Sequence, residues 1–329
     1  MEGHGFNLFA VVQAGRLQAE AVLLMASMAA SDPARAYRVI LAEPAPGPLW
    51  AGDPGIDDPE LRAFLAGAGA EFVRFPARVF GQAYPHGNKI EALLALPANE
   101  PFLFLDTDTL VLGPLGEVPF DFARPTASLH RSDTWPRLRP GGPGRAEIWG
   151  ALYDRFGLDF VASQDRSRAP DDWQRYLYFN GGWFFGRCPR EFGELFLAYA
   201  REVRDDPPPE LAGQPLYPWL DQIVLPLVIH RLGGGRDTLP GGLLDGRTTL
   251  HYRILALLYA RESEARLAWF EALARRNRVK RLLRRYAPFR RMIYGGWGAR
   301  VRALFPEGCA EMAEREIRQR IRAAGLWLR

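Results

Sequence analysis

Residues 101–109 run Pro101-Phe102-Leu103-Phe104-Leu105-Asp106-Thr107-Asp108-Thr109. A short unbroken apolar run, opened by proline and closed by aspartates, suits a central parallel strand covered on both faces. Toward the N-terminus the chain alternates. Strand-like Phe6–Val12 precedes a helix over Gln18–Met28, strand Tyr37–Leu41 a helix over Pro59–Ala66, and strand Glu71–Phe75 a helix over Lys89–Leu96 closed by Pro97. This β-α rhythm predicts an α/β doubly wound sheet whose ligand lies beyond the carboxyl ends of the strands. Toward the C-terminus, Arg131–Arg175 is rich in Pro, Gly, Arg and Trp and reads as an insertion or mobile loop with one short helix. After it come an aromatic strand over Tyr178–Gly186, a helix over Arg190–Val203, the breaker Asp205–Pro209 and a helix starting near Asp221.

At 329 residues and 48% hydrophobic, the chain can bury the core of one large domain with additions. Its two cysteines, Cys188 and Cys309, form neither a CxxC pair nor a disulfide framework, which points to a reducing compartment. The start Met1-Glu2-Gly3-His4-Gly5 lacks the basic opening of a signal peptide, and Ala21–Ala30 is too short to cross a bilayer. A cytoplasmic location is expected. The net charge of +4 hides an asymmetry, because residues 261–304 hold 13 Lys/Arg against 3 Asp/Glu while the rest holds 29 against 35.

In an extended segment, positions i and i+2 project to one side, so Asp106 and Asp108 can face one cation at the sheet edge. Their hard oxygens suit Mg²⁺ or Mn²⁺, a charge that would offset a departing diphosphate.

Taken with its neighbours, this segment resembles the metal-binding strand of the retaining GT-A glycosyltransferases, the group of glycogenin and the bacterial lipopolysaccharide galactosyltransferases. Asn88-Lys89-Ile90-Glu91-Ala92-Leu93 is similar to the family segment whose basic residue reaches the donor, Phe179-Asn180-Gly181-Gly182 to its sugar-pocket element, Asp221-Gln222 to its Asp-Gln pair beside the reacting centre, and His251-Tyr252 to its late histidine. The resemblance implies a Rossmann-like GT-A fold, a mixed sheet flanked by helices, over residues 1–260, with a basic helical extension over 261–329. It implies Mn²⁺ or Mg²⁺ on Asp106, Asp108 and His251, and a nucleotide-sugar donor, a UDP-sugar first. Lys89, Thr107, Gly181 and Gly182 would meet that donor, and Asn180, Asp221 and Gln222 the transferred sugar. Val12 and Gln13 stand where the family holds the nucleotide base, without its usual acidic residue. The Gly-x-x-Lys-Pro-Trp continuation after the late histidine is also missing, leaving Arg247 or Arg253 as substitutes for the diphosphate contact. The acceptor implied is a glycan or a lipid-linked glycan.

Val279, Leu282, Leu283 and Tyr286 fall at helical spacing among arginines, so residues 275–302 read as a basic amphipathic segment. With Tyr294 and Trp297 nearby, it suits either an anionic membrane surface or packing on the catalytic domain. No nucleic-acid recognition motif accompanies the charge. Two other functions fit parts of the chain: a haloacid-dehalogenase-like phosphatase with Asp106 as nucleophile, although residues 106–279 contain no lysine for it, and a nucleotide-sugar or glycan-binding protein without catalysis.

Overall fold

The computed structural model describes residues 5–129, 135–309 and 311–328. Six strands form one mixed sheet: β1 (Asn7–Val11), β2 (Arg38–Ala45), β3 (Ala70–Pro76), β4 (Phe102–Leu105), β6 (Ala127–Ser128) and β7 (Asn180–Gly186), in the order β3-β2-β1-β4-β7-β6. Strands β1 to β4 run parallel, and β7 pairs antiparallel with both β4 and β6. A separate two-stranded ribbon joins β5 (Thr109–Val111) to β8 (Thr249–His251). The expected α/β mixed sheet flanked by helices is observed.

Period-two alternation sorts the strand residues between two cores. Phe9, Phe102, Phe104 and Phe184 face α3 (Asn88–Leu93), α4 (Arg145–Arg155), α5 (Pro189–Asp205) and α6 (Leu220–Arg231), and Phe104 stacks on Phe184 with centroids 4.7 Å apart. Leu8, Ala10, Leu103, Leu105 and Phe185 face the opposite way, into the core containing α1 (Arg16–Ser31) and α2 (Pro59–Gly67). Helix α1 is buried continuously from Gln18 to Met28, which explains why so few polar residues interrupt it.

Two expectations change here. Part of the 131–175 stretch lies outside the described residues, but from residue 135 onward it is anchored rather than loose. Helix α4 buries Ile148, Trp149, Leu152 and Tyr153, and Trp135 packs edge-on against Trp149 at 5.0 Å. Large aromatics at helical spacing compensate for the Gly and Pro around them.

The basic segment spends its apolar face on the domain. After α7 (Leu255–Arg261) and α8 (Glu264–Ala274), helix α9 (Asn277–Leu283) buries Val279, Leu282 and Leu283 in the same core as α1. Gln18 donates to the Tyr286 hydroxyl, while Arg281 and Arg285 pair with Glu60 and Asp58 at the start of α2. The Tyr294 hydroxyl donates to the Ala274 carbonyl. Of the two readings of the stripe, membrane surface or packing on the domain, the packing is what is observed. Among the described residues no helix is long and apolar enough to cross a membrane.

The chain continues through the single turn α10 (Ala287–Phe289) and α11 (Trp297–Ala303) to α12 (Glu314–Ala323). The Glu314 carboxylate collects Arg253, Arg261 and Arg318. Burial opposes its charge, but the arginines outweigh burial and hold its pKa down at about 2. A depressed carboxyl adds stability above its unfolded pKa and loses it as pH falls toward the folded value. Glu314→Gln is expected to cost about 2–3 kcal/mol at pH 7. Urea melts of wild type and variant should converge as pH drops from about 4.5 toward about 2.

Candidate active site

Asp106 and Asp108 lie in the turn that links β4 to β5, not in continuous extended strand as the residue spacing suggests. Their carboxylates converge all the same, because both ends of the turn are fixed. The Asp106 amide donates to the Gly182 carbonyl of β7 at 2.9 Å, and the Asp108 carbonyl accepts from the Tyr252 amide at 3.0 Å. The β5–β8 ribbon sets His251 opposite Thr109, which carries the imidazole to the acids. His251 Nε2 is 3.0 Å from Asp108 Oδ1 and 3.8 Å from Asp106 Oδ2. One ligand atom from each of the three residues lies within 4.8 Å of the others. Two carboxylates and one imidazole at this spacing fit Mn²⁺, and less closely Mg²⁺.

Lys89 is not the solvated surface lysine that its place at a helix start would suggest. Its ammonium is buried and donates to Asp106 Oδ1 at 3.1 Å and to the Gly181 carbonyl at 2.8 Å. It also lies 3.6 Å from Asp221 Oδ2 and sits over the Phe104 ring. Burial lowers the pKa of this ammonium, but Asp106 and Asp221 outweigh burial and raise it above the ordinary lysine value. Two positions along α3, Glu91 accepts from the amides of Arg78, Val79 and Phe80, so a buried carboxylate locks the helix that delivers Lys89.

On the far side of Lys89, Asp221 sits in the first turn of α6 without capping it; Trp219 is the cap residue and makes no side-chain capping bond. The Asp221 carboxylate instead accepts from the Tyr84 hydroxyl at 2.8 Å. Gln222 is half-buried, and its side-chain oxygen accepts from the Tyr178 hydroxyl. Asn180 is buried and its side-chain oxygen accepts from the Gly182 amide. Of the two glycines in Asn180-Gly181-Gly182, Gly182 is required by space and Gly181 is tightly confined. A Cβ on Gly182 would stand 2.1 Å from His251 Nδ1, and one on Gly181 would stand 3.0 Å from Asp221 Oδ2 and 3.2 Å from Lys89 Nζ.

Three further expected residues are Thr107, Val12 and Gln13. Thr107 turns its hydroxyl to Glu20 at 3.0 Å, so its side chain is committed to α1. Val12 is fully buried with its amide on the Ala42 carbonyl. Gln13, at the end of β1, is partly exposed. Sequence reasoning missed Tyr84, Glu20 and Arg16. Tyr84 lies in an irregular loop with no pattern to flag it, whereas an acid at position 20 amid the buried face of an apolar helix was a readable signal.

The carboxylates of Glu20, Asp106, Asp108 and Asp221 thus meet the permanent cations Lys89 and Arg16. Burial and the Asp108 charge push the Glu20 carboxyl well above its ordinary pKa, against Arg16 and the Thr107 hydroxyl. Burial also raises Asp106. Asp108 stays depressed, because His251, Arg16 and Lys89 together outweigh its own burial. Asp106, Asp108 and His251 could together hold a cation.

Residues 8–233 match the Rhodobacterales glycosyltransferase domain. The chain belongs to that family and is a glycosyltransferase. Its mixed sheet flanked by helices is the α/β arrangement implied by the order of its motifs. No curated protein matches the sequence of this transferase. Similar solved structures include the galactosyltransferase LgtC in complex with donor and acceptor sugar analogs, at 14% identity over 82% of this chain and 95% of that one, with a TM-score of 0.43. The bifunctional glycosyltransferase WbbM is 13% identical over 87% of this chain and 52% of its own, with a TM-score of 0.44. GlyE of Streptococcus pneumoniae TIGR4 is 11% identical over 91% of this chain and 64% of its own, with a TM-score of 0.43.

The glycine contacts generate a test. Gly182→Ala is expected to drive the imidazole of His251 off Asp108 and lower transferase turnover at least about 10-fold, while the thermal midpoint changes little. Steady-state turnover and a melting curve on the same preparation check both halves.

Proposed function

We propose that this glycosyltransferase moves a hexosyl group from a nucleoside diphosphate sugar, a UDP-sugar first, to a hydroxyl of a glycan or lipid-linked glycan, with Mn²⁺ or Mg²⁺ held by Asp106, Asp108 and His251 and with retention of anomeric configuration. The observation that carries the reading is the convergence of those three ligands within 4.8 Å at the carboxyl end of β4. When bound, the cation offsets the negative charge growing on the departing diphosphate.

The chain's own groups prepare that event. Lys89 holds Asp106 and Asp221 apart and in place by standing between them. Asp221, fixed by Tyr84, offers negative charge to the anomeric carbon as it becomes positive. The amides of Asn180 and Gln222 serve sugar hydroxyls, and the absence of side chains at Gly181 and Gly182 leaves the floor of that space to backbone. Retention rests on the resemblance of Asn180-Gly181-Gly182 and Asp221-Gln222 to the retaining family. The proposed location is the cytoplasm, supported by the free thiols of Cys188 and Cys309. The phosphatase alternative finds no support, since Asp106 is tied to Lys89 and the chain belongs to a transferase family.

Thermal-shift titration with UDP, GDP and their common sugars checks the donor and the metal together. A stabilisation that needs Mn²⁺ and disappears in Asp106→Asn/Asp108→Asn is expected. No Mn²⁺-dependent shift with any nucleotide would overturn the reading. A binding protein without catalysis would show that shift yet hydrolyse no donor, and Asp108→Ala would then have no rate to abolish.

A further inference from the structure

We propose that Arg16 contacts the donor diphosphate, a role that rests on the metal-dependent reading above. The late motif that brings a lysine to the diphosphate in similar enzymes is missing, and His251 is followed here by Tyr252-Arg253-Ile254 and the start of α7. A diphosphate carries more negative charge than one divalent ion neutralises in a buried site, so a further cation is called for. Two of the cations suggested by position or sequence order are already engaged, which leaves Arg247 as the rival that the test below must separate. Lys89 is buried and spent on Asp106, Asp221 and the Gly181 carbonyl. Arg253 gives one guanidinium nitrogen to both oxygens of Glu314.

Arg16 has the properties those two lack. It is the first residue of α1 and follows Gln13 by three positions, just past β1, where the family resemblance puts the nucleotide base. Its Nη1 is 2.6 Å from Glu20 Oε1 and 3.7 Å from Asp108 Oδ2. It therefore lies between the two ends of the proposed nucleotide, with one edge on the metal-binding acids. Its side chain retains 44% exposure, whereas that of Lys89 retains 8%. Arg16 also borders a small, mostly apolar cleft with Glu20, Arg253, Phe289 and Met292. A guanidinium anchored by Glu20 is held in a fixed orientation and keeps further donors for phosphate oxygens, which its planar fork matches in pairs.

This placement makes two effects of opposite sign. Before any ligand binds, Arg16 supplies positive charge to Asp108 and so competes with the metal; once diphosphate is present, it attracts the anion. Calorimetry with Mn²⁺ alone and then with Mn²⁺ plus inorganic pyrophosphate separates them. Arg16→Gln is expected to bind Mn²⁺ alone as tightly as wild type or several-fold more tightly, and to bind pyrophosphate about 10- to 100-fold more weakly. Arg16→Gln/Glu20→Gln, which leaves no buried carboxylate without its partner, should show the same split if the single variant folds poorly. Unchanged pyrophosphate affinity in both variants overturns the inference while leaving the metal site standing, as does a loss that appears with Arg247→Gln instead. A parallel weakening of Mn²⁺ and pyrophosphate also overturns it. Failure of wild type to bind Mn²⁺-pyrophosphate, although it binds Mn²⁺, overturns both this inference and the donor reading beneath it.

Discussion

The ion pairs of Lys89 are the constraint on which the rest of the site depends. Gathering Glu20, Asp106, Asp108 and Asp221 in one largely buried region sets carboxylates against each other, and burial is the leading cause raising both Glu20 and Asp106. The buried ammonium between Asp106 and Asp221, with Arg16 on Glu20 and Asp108, offsets this, and Glu91 locks the helix α3 that delivers the lysine. The two cores of the sheet serve this end. Phe104 and Phe184 stack beneath the lysine, while Leu103 and Leu105 tie the same strand to the opposite layer.

Function and stability pull against each other at this place. Replacing the charged cluster with apolar residues of similar size would suit the fold at least as well. Such a cluster suits a cation, because the carboxylate charge that burial opposes is also charge that could attract a metal. Arg16 tempers the same repulsion through its contact with Asp108.

Much of this was legible in the residues. The β-α alternation up to Phe104, the aromatic strand at Asn180 and the order of Lys89, Asp106, Asp108, Asn180 and His251 all express local pattern, and local pattern survives folding. The turn conformation of Asp106–Asp108 was less legible, because it depends on the Gly182 carbonyl and on pairing with a strand more than a hundred residues away. Tyr84 and Glu91 were invisible for a related reason: each acts through partners that only tertiary structure brings near. The amphipathic stripe at Val279, Leu282 and Leu283 was read correctly as a face, but periodicity does not say what the face meets.

The site also divides along the chain. Lys89, Asp106, Asp108, Asn180 and Asp221 lie within the family domain at 8–233, on a sheet and helices that hold each other through two apolar cores. His251 lies beyond that segment, on a three-residue strand whose partner β5 is equally short. So brief a ribbon has little stability of its own. The C-terminal part of the chain supplies the missing support: Arg253, two residues after the histidine, is held by Glu314 of α12 together with Arg261 and Arg318. The C-terminal helices therefore have a mechanical part in the candidate site. They clamp the end of the ribbon that brings His251 to Asp106 and Asp108, and the burial of their own apolar faces against α1 is the anchor from which that clamp acts.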